Sequence, residues 1–140
     1  MRTLITIAAT LALSVTGFAQ EAKTQIKKTN IEYTNPASGA EMFRTYCAAC
    51  HGTDARGTGP AATALKKAPA DLTLLTKKNN GKFPALSVQN TIKGEAGAPV
   101  HGSRDMPMWG DIFRSVSAGN EVVAMRVSNL TEYVKSIQQN

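Results

Sequence analysis

Residues 47–51 read Cys-Ala-Ala-Cys-His, a run that uses both cysteines and one of the two histidines of the 140-residue chain. Two thiols three positions apart, with an imidazole directly after the second, form the attachment signature of a c-type haem. The chemistry needs that order. Two thiols bond covalently to the haem vinyl groups, and the imidazole reaches the iron from the same turn. Cys47 and Cys50 would therefore anchor one covalent haem c, and His51 would ligate its iron. Two other chemistries share these residues. A Cys47–Cys50 dithiol would belong in a thioredoxin-like frame, whose βαβ pattern this chain lacks. A zinc ion could draw on Cys47, Cys50, His51 and His101, a permitted tetrahedral set, but the adjacent Cys50 and His51 would have to converge on one small ion.

The elements that must position the run are helical. Glu41, Met42, Phe43, Arg44, Thr45 and Tyr46 lead into Cys47 without Gly or Pro, and Met42, Phe43 and Tyr46 share a face. A first helix thus carries the run at its end. Residues 52–59 form a turn-rich loop, and Pro60 reads as the first residue of a helix over 61–67 that Pro69 stops. Asp71 is placed to cap a helix over 72–78, ended by Asn80-Gly81, and an amphipathic helix over 85–93 closes at Gly94. From 120 to 138 the apolar residues Val123, Val127, Leu130, Tyr133, Val134 and Ile137 recur at steps of three and four, the stripe of a long terminal helix. Barely two and a half heptads favour packing inside the domain over a coiled coil. Tyr133 and Val134 are expected to meet Phe43 and Tyr46. No β-hairpin pair is evident, so the expected class is all-α.

The amino terminus adds a compartment. Arg2 precedes an apolar run from Leu4 to Val15 and then Gly17-Phe18-Ala19, the layout of a secretory signal peptide over residues 1–19. The run is too short for a membrane span, which needs about 20 apolar residues. Export to the periplasm, or another exported location, also suits covalent haem attachment. Residues 20–38 are polar and read as a flexible lead-in; residues 39–140 are the one compact domain. A domain this small is marginal on its own core, and a covalently held haem would give it apolar surface to pack around.

A helix ending in Cys-x-x-Cys-His, a Thr58-Gly59-Pro60 segment, a Met106-Pro107 pair and a terminal helix, in that order, resemble the class I monohaem cytochromes c over nearly the whole mature domain. The resemblance implies the cytochrome c fold: several short helices around one covalent haem, with N- and C-terminal helices crossing. It implies His51 as proximal ligand, a methionine sulfur opposite, and the Pro60 carbonyl as acceptor for the His51 ring N–H. Such a bond orients a ligating ring and raises its basicity. In the segment 101–110, Met106, Met108 and His101 compete for the opposite position. Pro107 makes Met106 the first choice by its likeness to the family's Met-Pro pair, with Met108 and His101 as alternatives. Met/His ligation raises the reduction potential. Trp109 beside this segment reads as hydrophobic cover, and Arg56 or Arg104 could pair with a haem propionate.

The formal charge of +6 bears on partners. Lys66, Lys67, Lys77, Lys78, Lys82 and Lys93 could steer acidic redox proteins toward the haem. No base-reading motif supports nucleic acid. With both axial positions filled, the iron has no open site for a substrate, so the expected function is one-electron transfer between exported or membrane redox partners rather than enzyme catalysis. The alternatives are a haem c subunit of a dehydrogenase or oxidase complex, or a small-ligand-binding haem protein with a labile sixth ligand.

Overall fold

A computed structural model describes residues 31–95 and 106–139. The expected signal segment 1–19, the first part of the expected lead-in, His101 and Arg104 lie outside the described residues. Helical segments make up all regular structure among those described: α1 (Gly39–Met42), a π segment (Phe43–Cys47), α2 (Ala48–His51), 3₁₀ turns at Ala62–Ala64 and Leu72–Leu74, α3 (Leu75–Lys78), α4 (Ala85–Lys93), α5 (Trp109–Val116) and α6 (Asn120–Ser136). The chain is all-α, as the periodicity predicts.

The run from Gly39 to His51 starts where Ser38 caps it, the hydroxyl accepting from the Glu41 N–H at 3.2 Å. Its middle widens into π geometry, with the Ala48 N–H donating to the Phe43 carbonyl. π turns inside helices are common at functional sites, and this one ends on Cys47. Gly39 sits against α6 so closely that a Cβ there would collide with the Asn129 carbonyl oxygen. One turn on, the Phe43 and Tyr133 rings meet at 5.1 Å. The two terminal helical segments therefore pack face to face. From α6 the predicted stripe delivers Val123, Val127, Leu130 and Val134 to the core, each side chain contributing about 1.5–3 kcal/mol by its removal from water.

Four expectations change. The ring partners of Tyr46 are Trp109 at 5.1 Å and Phe113 at 5.6 Å rather than Tyr133. Both rings stand on α5, a helix the sequence analysis did not predict, although Trp109, Ile112, Phe113 and Val116 carry helical spacing. The helix expected over 61–67 shrinks to the turn Ala62–Ala64, because the backbone turns extended at Leu65 (φ −89°, ψ 144°). The lead-in does not run to residue 38. Thr34 is 1 % exposed and bound to Arg126 and Tyr46, so the packed domain begins ahead of Gly39.

The other elements match their sequence signals. Asp71 caps the turn at Leu72–Leu74, accepting from the Thr73 N–H at 2.9 Å. Gly94 ends α4 in the left-handed region at φ 81°.

Candidate functional site

Spacing of three and four along the first helical run brings Phe43, Tyr46, Cys47, Cys50 and His51 to one stripe. That stripe forms one side of a cavity of about 490 Å³. Leu130 and Val134 of α6, Val88 and Ile92 of α4, and Leu65, Pro69, Ala70, Leu72 and Leu75 from the loops and short turns between α2 and α4 line it as well. Met106, Pro107 and Trp109 complete the lining. The size lies within the range of cofactor sites, and the lining is mainly apolar with a few convergent polar groups, as such sites are.

The two thiols, the motif histidine and Met106 all line this one cavity. His51 is 8 % exposed, and its Nδ1 lies 3.1 Å from the Ala70 carbonyl oxygen. A carbonyl only accepts, so Nδ1 carries the proton and Nε2 the lone pair that a metal would use. This corrects the expected role of Pro60. Pro60 is exposed and absent from the lining, because its loop folds back on α2: the Gly57, Gly59 and Ala61 N–H groups donate to the carbonyls of His51, Cys50 and Ala49. Those are carbonyls that the end of a helix leaves without intrahelical partners. At Gly59 a Cβ would collide with the carbonyl oxygens of Ala48 and Ala49, so only glycine allows the loop this close. The histidine's acceptor comes instead from the extended stretch before the Asp71 cap, whose carbonyls no helix claims. The sequence held no sharper signal for Ala70 than that.

Met106 is half-buried on the cavity, whereas Met108 is 56 % exposed and leans over Gly94. Trp109 covers the cavity from the Met106 side as one of three mutually stacked rings, its own contacts at 5.1 Å to Tyr46 and 5.7 Å to Phe113. The two cysteines are not joined by a disulfide. Burial, and secondarily the neighbouring Cys50, pushes the Cys47 thiol up to about 12. Among the described residues, no three His, Cys, Asp or Glu side chains stand so as to hold a metal ion; His101, the fourth member of the zinc set, lies outside them. Among the described residues no strand supplies the frame a thioredoxin-like dithiol requires.

Around the cavity, Asp71 is held below the usual carboxylate range, first by the Thr73 hydroxyl at 2.6 Å and also by the Thr73 N–H, Arg56 and Lys78, with partial desolvation opposing. Lys67 reaches the cavity itself. Arg126, whose residue type the apolar stripe does not flag, is wholly buried on the inner face of α6. Its position was legible, since residue 126 falls inside the stripe between Val123 and Leu130.

The chemistry of the lining fits a haem: paired thiols, an oriented imidazole, a thioether and an apolar enclosure. A search of curated proteins and a search of solved structures each return no significant match. The family model described as cytochrome C oxidase, cbb3-type, subunit III matches residues 34–132. Its first residue is the buried Thr34, and its span takes in every lining residue but Val134. The chain belongs to that family: it is a monohaem c-type cytochrome with covalently bound haem c, and its chemistry is haem-based electron transfer.

Proposed function

We propose that this protein is a one-electron carrier whose haem is bonded to Cys47 and Cys50 and ligated by His51 and Met106. One observation carries the proposal: those four side chains, separated by up to 59 positions in sequence, line the same apolar cavity. When bound, haem supplies an iron that changes between ferric and ferrous by one electron. The chain's own residues set the conditions. The Nδ1–H of His51, donating to Ala70, fixes the ring and makes Nε2 a better donor. The Met106 thioether is a soft ligand that favours the ferrous state. Phe43, Leu130, Val134 and Trp109 exclude water, which keeps solvent rearrangement small on each transfer.

Partners are redox proteins. Lys66, Lys67, Lys77, Lys78 and Lys82 are exposed and make no ion pair among the described residues, while Lys93 pairs with Glu95 at 3.6 Å. Lys66–Lys67 and Lys77–Lys78 follow closely on Leu65 and Leu75 of the cavity lining, which supports a basic rim for an acidic partner. No helix of the described residues is long and apolar enough to cross a membrane, and the leader sequence supports an exported, periplasmic site of action. The family's description favours one second reading, service as the haem c subunit of an oxidase complex. Native protein that stays with an oxidase through purification would select it.

Oxidised and reduced absorption spectra test the proposal. Wild type should show the weak long-wavelength ferric band of a sulfur–iron bond. Met106→Ala should remove that band and Met108→Ala should keep it; the reverse result moves the ligand to Met108. Fast, tight carbon monoxide binding to the reduced wild type at neutral pH would instead establish a labile sixth ligand.

A further inference from the structure

Arg126 is the largest wholly buried side chain among the described residues, and no carboxylate there pairs with it. Its partners are neutral: Nη1 donates to the Thr34 hydroxyl at 2.9 Å, Nη2 to the Thr34 carbonyl at 2.9 Å, and Nε to the Ser117 hydroxyl at 3.1 Å. The guanidinium also lies 5.3 Å from the Tyr33 ring centroid and 5.8 Å from that of Phe113. A guanidinium keeps its charge throughout the usual pH range. Burying one without a counter-charge is costly, and apolar residues of similar volume commonly replace buried ions without loss of stability.

That charge stands directly behind the cavity. Thr34 passes the hydrogen bond on to the Tyr46 hydroxyl at 2.9 Å, and Tyr46 donates to the Glu32 carbonyl at 2.6 Å. All three bonds from Arg126 run in one direction, so each strengthens the next. Tyr46 lines the cavity, as does Leu130, one turn after Arg126 on α6. A fixed positive charge in a low-dielectric wall disfavours the more positive state of a nearby redox centre.

We propose that Arg126 is a potential-setting residue, whose uncompensated charge in the wall behind Tyr46 raises the reduction potential of the haem held by this cavity. The inference rests on the proposed haem site. The step it biases is ferric iron plus one electron, from a redox protein or a mediator, giving ferrous iron; no bond to Arg126 forms or breaks.

Redox titration of the haem-loaded chain tests it. Arg126→Met should lower the ferrous-to-ferric ratio at a fixed ambient potential about tenfold, a shift of about 59 mV for one electron. Arg126→Lys, which keeps the charge, should stay within about twofold of wild type. Thr34→Asp places a carboxylate beside the intact guanidinium and should lower the ratio several-fold. Thr34→Val breaks the hydrogen-bond chain without touching charge, and should weaken denaturant resistance while leaving the ratio within about twofold. A normal haem spectrum with an unmoved ratio in Arg126→Met or Thr34→Asp overturns the proposal, as does a Thr34→Val shift equal to that of Arg126→Met. If neither charge variant retains haem, the charge serves folding and the proposal also fails. A wild-type chain without haem would instead sink the haem site on which it rests.

Discussion

The two long sides of the cavity are built differently. One is regular and sealed: Phe43 and Leu130 are each 1 % exposed, Val134 4 %, and they stand on helical segments that already pack on each other. The other is assembled from loops and single turns. Leu65, Pro69, Ala70, Leu72, Leu75 and Met106 are all half-buried, with the Ala62–Ala64 and Leu72–Leu74 turns as their only regular backbone support apart from the four-residue α3. The sealed side supplies buried packing, and the loop side supplies the Ala70 carbonyl that orients His51 and the cavity-lining Met106 proposed above as a ligand. The first helical run serves both, with Gly39 and Phe43 packed on α6 and Cys47, Cys50 and His51 presented to the cavity. Separating the two tasks lets the chemistry vary without disturbing the fold.

Removing the thiols breaks the link between the sides most completely. Cys47→Ala with Cys50→Ala should abolish covalent haem altogether, measured as haem staining of denatured protein on a gel; any stain left on the chain would relocate the attachment.

Next in size is the sealed side. Leu130→Ala should cost about 2–5 kcal/mol in denaturant unfolding of the haem protein, against about 1 kcal/mol for Leu65→Ala, whose side chain has less packing to lose. Equal losses would mean that the loop side is as much a core as the helical one.

Under the proposed ligation, Met106→Ala should eliminate the long-wavelength ferric band and change stability by only about 1 kcal/mol beyond the loss of that bond. A large loss of helix signal in circular dichroism would show instead that Met106 supports the fold.

The smallest effect belongs to Asp71. Its carboxyl is held below its ordinary value in the folded state, so its contribution is present above the ordinary carboxylate range and lost as pH falls through the lowered value. Asp71→Asn should therefore flatten the acid limb of denaturant midpoint against pH and leave the alkaline limb alone. Identical acid limbs would remove Asp71 from the electrostatics of the loop side.

How far these features could be read beforehand follows the same division. The sealed side was legible. Val123, Val127, Leu130 and Val134 repeat at helical spacing, and every one is buried, because a single periodic helix has only one face to bury. The loop side was legible at its punctuation, in the Asp71 cap and the Gly94 stop, and illegible in its contacts. Family likeness assigns the histidine bond to Pro60, yet Gly57, Gly59 and Ala61 bind their loop to the end of α2, and Ala70, 19 positions from His51, takes the role. A backbone carbonyl carries no residue signature, so nothing in the letters marks which one will accept.

By itself the sequence determined the haem chemistry and the helical class. Cys47, Cys50 and His51 are local, and their order dictates what they can bind, while the stripe from Val123 to Ile137 depends only on the period of a helix. Tertiary structure alone decided which methionine of two lines the cavity, which carbonyl orients His51, and that Arg126 sits behind Tyr46 with no counter-charge among the described residues. The reason is physical: each depends on contacts between segments distant in sequence, where loop path and packing, rather than spacing, set which atoms meet.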